Sequence, residues 1–220
     1  MTIENKTMTK TILLLTFTFG LPTFCNGQTN KVKAKGVYKE IDVTRHNEAI
    51  EVMNGRNKKL KQQTIDSILA KPNYYNPPVL YALSRELYNQ GKKDKATFWF
   101  YTAQLRARYD ANLCLDKSAK QSVSILNSEY GPDINKYAFQ NIDSLEITVT
   151  KVVDFVRTNE EDYDHRWINL HGMSAVMAGM DNDSREKKLS QPKDKWIDIK
   201  KKTLDDYFNG FIEYVKSQKK

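Results

Sequence analysis

Apolar residues recur at helical spacing along most of this chain, and the runs stop at Pro, Gly and Asn. The clearest stretch is LYALSRELYNQGKKDKATFWFYTAQL, which starts at Leu80 and ends at Leu105. Leu80, Leu83 and Leu87 share one helical face. Asn76 stands where an N-cap belongs, before Pro77 and Pro78, whose missing N–H costs nothing in a first turn. Gly91 is free to adopt positive φ and stops this helix. A second helix is predicted from about 93 to 112. Ala96, Phe100, Ala103 and Ala107 form one of its faces; Phe98, Tyr101, Leu105 and Tyr109 form another, with Trp99 between. A helix apolar on two faces is packed on two sides, so this one is read as the centre of the fold.

The flanking segments follow the same period less cleanly. GVYKEIDVT, from Gly36, predicts a short strand or an extended lead-in, and 48–53 a short helix ending at Asn54-Gly55. A firmer helix is expected over 57–70, with Leu60, Thr64, Ile65, Ile68 and Leu69 on one face, ended by Pro72. Residues 118–128 predict a helix, Gly131-Pro132 a turn, and 134–139 one or two further helical turns. Leu145, Val149, Val152, Val153 and Val156 predict a helix capped by Asp143 or Ser144. Residues 159–190 read mostly as loop, with MSAVMAGM as a short helix inside it. A last helix is expected over 192–216. The fold class is therefore all-α: an irregular helical bundle around a central hairpin, with one short N-terminal strand at most.

The first 27 residues change the picture of where this helical domain works. Lys6 and Lys10 precede the apolar run TILLLTFTFGL, Pro22 breaks it, and small or polar residues lead to Gly27. That is the form of a secretory signal peptide, and the run is shorter than the roughly 20 residues a bilayer needs. Cleavage is expected after Gly27, leaving 28–36 as a flexible tail and 37–220 as a single helical domain. The expected location is periplasmic or extracellular. Phe24 is bulky where a lipid-attachment signal wants a small residue, which disfavours a lipoprotein through Cys25. Cys114 would then be the remaining cysteine, so stability must come from packing and not from a disulfide.

The formal net charge of +8 gathers at Lys31, Lys33 and Lys35, at Lys58, Lys59 and Lys61, and from Lys187 to Lys202. Lysines without interleaved Arg and aromatics suit an acidic protein or a weak attraction to anionic surfaces better than nucleic acid.

The hairpin resembles one tetratricopeptide-type repeat. Gly91, Ala96 and Ala103 reproduce the turn glycine and the small residues where helices touch, with Phe100 between the alanines and Leu83 on the first helix. Ser84 and Arg108 depart from the pattern. The resemblance covers about 34 residues and implies that flanking helices serve as neighbours. ATFWFYTAQLRARYDAN with GPDINKYAF downstream resembles uncharacterised exported bacterial proteins, which implies no activity.

EEDYDHRWINLHG, beginning at Glu160, gathers the most chemistry: Asp162, Asp164, His165 and His171 form a candidate polar site in a loop. Two histidines six apart fit neither a zinc-hydrolase helix nor a zinc finger, so no metal and no cofactor are expected. Arg106 and Arg108 on the central helix call for acidic partners or an anionic ligand; structural ion pairs are the leading reading, and Glu86 is a reasonable partner. Phosphate loops, dinucleotide glycines, nucleophile elbows and paired-cysteine motifs are missing. The leading expectation is a non-catalytic exported scaffold that binds another protein, an immunity or inhibitor protein against a toxin being one form. Tyr74, Tyr75, Arg166 and Trp167 are its candidate contacts, with closure of the core as their other role. The alternative is an envelope hydrolase acting on cell-wall or glycan material through two carboxylates about 5–9 Å apart.

Overall fold

The two proline-led turns and the glycine turn place their helices as the pattern predicts. In the computed structural model, which describes residues 34–180 and 188–217, α1 spans Thr44–Asn54, α2 Lys58–Ala70, α3 Pro77–Asn89 and α4 Lys93–Leu113. Then come α5 (Gln121–Ala138), α6 (Ile142–Thr158), α7 (Met173–Met180) and α8 (Trp196–Ser217). Short 3-10 turns lie at Gly36–Glu40, Pro72–Tyr74, Lys117–Lys120, His165–His171 and Lys193–Lys195. The expected signal peptide, with Cys25 and Gly27, and the first part of the tail lie outside the described residues.

α3 and α4 form the hairpin, turning through Gly91 at φ 76°. Leu80, Leu83 and Leu87 are fully buried, as are Ala96, Phe100, Ala103 and Ala107. The alanines let neighbouring helices approach α4, which also contacts α5, α6 and α8. A polar chain ties four helices together: Tyr81 Oη donates to Asn127 Oδ1 at 2.6 Å. Gln104 Nε2 donates to the same oxygen at 3.0 Å, and Tyr207 Oη donates to Gln104 Oε1 at 2.7 Å. These bonds run across α3, α5, α4 and α8.

Local chemistry overrides the pattern in five places. GVYKEIDVT forms a 3-10 turn, and there is no strand among the described residues; an isolated bridge joins Cys114 and Ser190. α5 runs unbroken through Pro132. Gly131 is a close-packing residue there and not a turn, since a Cβ would sit 3.0 Å from Phe100 Cζ. Asn141, not Asp143 or Ser144, caps α6, accepting the Ser144 N–H at 2.9 Å. Asn76 has the backbone of an N-cap, but its side chain makes no cap hydrogen bond. Leu60 is 43% exposed, so it leaves the inner face of α2. Asn57 starts that helix by accepting the Leu60 N–H at 3.0 Å.

Candidate functional site

The last turns of α4 carry Arg106 and Asp110, one helical turn apart and both fully buried. Charges so placed need partners. The partners come from the segment after α6, in alternation. Glu161, Tyr163, His165 and Trp167 point inward, while Glu160 and Asp162 are exposed and Asp164 and Arg166 half-buried.

Three donors converge on the Asp110 carboxylate. Trp167 Nε1 donates to Oδ2 at 2.6 Å, Tyr163 Oη donates to Oδ2 at 3.1 Å, and His165 Nδ1 donates to Oδ1 at 2.5 Å. Arg106 Nε lies 3.5 Å from Glu161 Oε1, an ion pair longer than a good hydrogen bond. Its other nitrogens donate to Asn73 Oδ1 at 2.6 Å and to the Pro72 carbonyl at 3.3 Å. Lys200 of α8 reaches Glu161 Oε2 at 2.6 Å. The expected partner of the arginines, Glu86, instead binds Lys61 at 2.9 Å. Arg108 reaches the Tyr207 ring, its Cζ 5.3 Å from the centroid.

The His165 ring is lined by Tyr163, Trp196 and Tyr109, with centroids 5.0, 5.2 and 5.3 Å away. It borders a cleft of about 1140 Å³ whose lining mixes Arg45, Lys193 and Lys200 with Asp42, Glu160, Asp162 and Asp164. Burial works against the imidazolium, but the charge and hydrogen bond of Asp110, followed by the charge of Glu161, outweigh it and raise the His165 pKa. Burial pushes the Tyr163 hydroxyl up strongly, and Asp110 adds to this. Asp164 is lowered despite its burial, because Arg166 bonds it through side chain and backbone.

An aspartate behind a histidine can orient a general base. Among the described residues no hydroxyl or thiol of a nucleophile is hydrogen-bonded to His165. The Cys114 thiol lies elsewhere, donating to Asn169 Oδ1 at 3.1 Å, and burial pushes its pKa to about 11. What the arrangement does is fasten the segment: its Asp162 N–H also donates to the Asn73 carbonyl at 2.8 Å.

The structure brings three of the four predicted polar residues, Asp162, Asp164 and His165, to one cleft and sets His171 apart from them. Asp162 lines that cleft from an exposed position, Asp164 lines it while capping the 3-10 turn by accepting the Arg166 N–H at 2.8 Å, and the His165 ring borders it as well. The His171 ring meets that of Trp167 in a T-shaped contact, centroids 5.6 Å apart, beside a different cavity. Among the described residues no group of three or more His, Cys, Asp or Glu could hold a metal ion. Of the four candidate contacts, Trp167 is 2% exposed and closes the core, its other expected role. Arg166 is half-buried, its Nη2 2.8 Å from Asp164. Tyr74 is exposed and Tyr75 half-buried, both within reach of the Arg45 guanidinium. Asp110, the hub, was not among the candidates. The signal was there: a carboxylate one turn from Arg106 on an otherwise apolar helix face.

No family model, curated protein or solved structure matches this chain. No helix among the described residues is long and apolar enough to cross a membrane.

Proposed function

We propose that this protein is an exported, non-catalytic scaffold that binds another protein, with the outer face of α7 as its contact surface. The observation that carries this reading is a stripe of exposed apolar residues. Met173, Met177 and Met180 are 59%, 58% and 77% exposed, and Val176 lies among them at 36%. They fall at i, i+3, i+4 and i+7, one side of the helix, while Ala175 and Ala178 face inward. Methionine is flexible and polarizable and adapts to partner surfaces. A contiguous apolar stripe on a surface marks an interaction site more often than isolated apolar residues do.

The platform beneath the stripe is firm. Asp116 Oδ2 accepts the Ser174 N–H at 3.0 Å, and Ser118 Oγ accepts the Met173 N–H at 2.8 Å. The Asp110 hub anchors the preceding turn. A rigid surface loses little entropy on binding. The chain's net charge of +8 favours an acidic rim on the partner, and an exported toxin with such a rim would fit. Hydrolysis through carboxylates has less support: Asp110, Glu161 and Asp164 are each held by cationic or neutral donors, and the acids that remain on the cleft, Glu160 and Asp162, are solvent-exposed.

The test is a photo-crosslinking residue at position 177, with position 60 on α2 as an exposed control, in cells that make the full chain. A discrete adduct from 177 and not from 60, lost in a Met173→Glu background of unchanged melting temperature, is the expected result. Equal labelling at both positions would remove α7 from the interface.

A further inference from the structure

His165 meets its cleft with one of its two ring nitrogens unused. Nδ1 donates to Asp110 Oδ1, while Nε2 makes no hydrogen bond among the described residues. The imidazole is 10% exposed. Among the described residues, the polar side-chain atoms sealed from solvent without a partner are Asn76 Oδ1, Arg106 Nε and Glu161 Oε1. Nε2 is not one of them, so it opens onto the cleft that His165 lines.

The charge of the ring follows from Asp110. That carboxylate is fully buried, and its other donors, Trp167 and Tyr163, are neutral. His165 is the cation that pairs with it among the described residues, and a buried carboxylate without a cation is costly. Asp110 and Tyr109 face the ring from α4, Glu161 and Tyr163 from its own segment, and Lys200 from α8. The two acids outweigh burial and Lys200, so the pKa is raised. An imidazolium has two N–H donors, and the second one here lacks a protein acceptor.

The neighbouring wall is aromatic and fixed. Trp196 meets the His165 ring edge-on with centroids 5.2 Å apart, and its indole N–H is tied to the Gln191 carbonyl at 2.8 Å. Ile197, which is exposed, lines the cleft beside it. Most other charges of the cleft are engaged: Arg166 with Asp164, Lys200 with Glu161, and Asp42 with the Thr44 N–H. Arg45 and Lys193 have no carboxylate partner among the described residues, and Lys193 Nζ lies 6.0 Å from the Trp196 ring centroid. Glu160 and Asp162, exposed on the same cleft, oppose a ligand of high negative charge.

We propose that this part of the cleft binds a small aromatic monocarboxylate, whose carboxylate accepts the His165 Nε2–H and whose ring lies against Trp196 and Ile197. The charge-assisted hydrogen bond sets orientation and burial of the ring supplies affinity. Glu160 and Asp162 restrict the ligand to a single negative charge.

The experiment uses the full chain and two probes of nearly equal shape, 2-naphthoate and the neutral 2-naphthalenemethanol. Calorimetry measures affinity, and the indole N–H signals in a 1H–15N spectrum report the place. The expected result is saturable 2-naphthoate binding that shifts the Trp196 signal and leaves that of Trp99, with the alcohol about tenfold weaker or more. Affinity for 2-naphthoate should fall as pH rises through the raised His165 value, while that for the alcohol stays level. His165→Asn keeps a donor for Asp110 and removes the nitrogen that faces the cleft, so it should bind the two probes equally. If that variant does not fold, the probe comparison and the pH series on the unaltered protein still decide. No saturable 2-naphthoate binding, equal affinity of the two probes for the unaltered protein, a preference that ignores pH, or a His165→Asn variant that keeps the preference would each overturn the proposal.

Discussion

Two histidines of this protein sit in opposite electrostatic situations, and each follows from its immediate neighbours. His46 is buried, and burial, then the charge of Arg45, lower its pKa from 6.5 to about 4, only partly offset by Asp42. Its Nδ1 accepts the Asn76 N–H, a role that protonation would end. His165 is raised, since Asp110 and Glu161 outweigh its burial and the charge of Lys200. The signs of linkage differ accordingly. The His46 contribution is present above 6.5 and is lost as pH falls toward 4. The His165 contribution is present below the ordinary histidine pKa and is lost as pH rises through the raised value. Melting temperature should therefore fall on acidification between pH 6.5 and 4. His46→Gln, which can still offer an acceptor, should flatten that limb. The same slope in both proteins would assign the acid sensitivity to carboxylates. At this scale the sequence shows which residues are polar but not which become partners. Asp110 looks like one more charge near Arg106 and Arg108, and only folding brings the alternate residues 163, 165 and 167 onto it.

Elements whose period is reinforced by a terminator are legible, and those that depend on a distant neighbour are not. The hairpin has Pro77 at one end and Gly91 at the other, and its alanines are buried where the spacing puts them. The Gly131-Pro132 pair has the same residue types, yet α5 passes through it. What the glycine serves there is the close approach of Phe100 on α4, a contact beyond the reach of any local reading. Gly172 is a third case. Its φ of −88° suits any residue, but a Cβ there would meet the Asp116 carboxylate, 2.8 Å from Cγ, and Ala119 Cβ at 3.2 Å. Gly172→Ala should cost about 1–3 kcal/mol by overpacking and should loosen the start of α7. Urea denaturation measures the first effect, and faster amide exchange at Met173 and Ser174 the second. An unchanged urea midpoint would mean that Asp116 moves aside freely.

Across the whole molecule, the all-α class and the central place of α4 follow from apolar periodicity, because α4 alone carries two dense apolar faces. The assembly around it is less legible, because its polar staples join residues far apart in sequence. Asn112 reaches Thr203, Gln104 reaches Tyr207 and Glu161 reaches Lys200. All three far ends lie on α8, the last described helix. A chain ending at residue 195 would leave Gln104 and Glu161 without those bonds and would uncover the side of α4 where Phe211 meets Tyr101 edge-on and Tyr207 lies beneath the Arg108 guanidinium. It should lack a cooperative thermal transition, and adding a peptide of residues 196–217 should restore one. A sharp transition without the peptide would show that α8 is an accessory.

That dependence on α8 has a bearing on synthesis. A chain emerges from the ribosome N-terminus first, so the hairpin is complete about ninety residues before Lys200, Thr203 and Tyr207 exist. During that interval the nascent protein holds helices but lacks the element that locks them. Formation of the hairpin and closure of the bundle are thereby separated in time, because the polar staples can form only after α8 has been made.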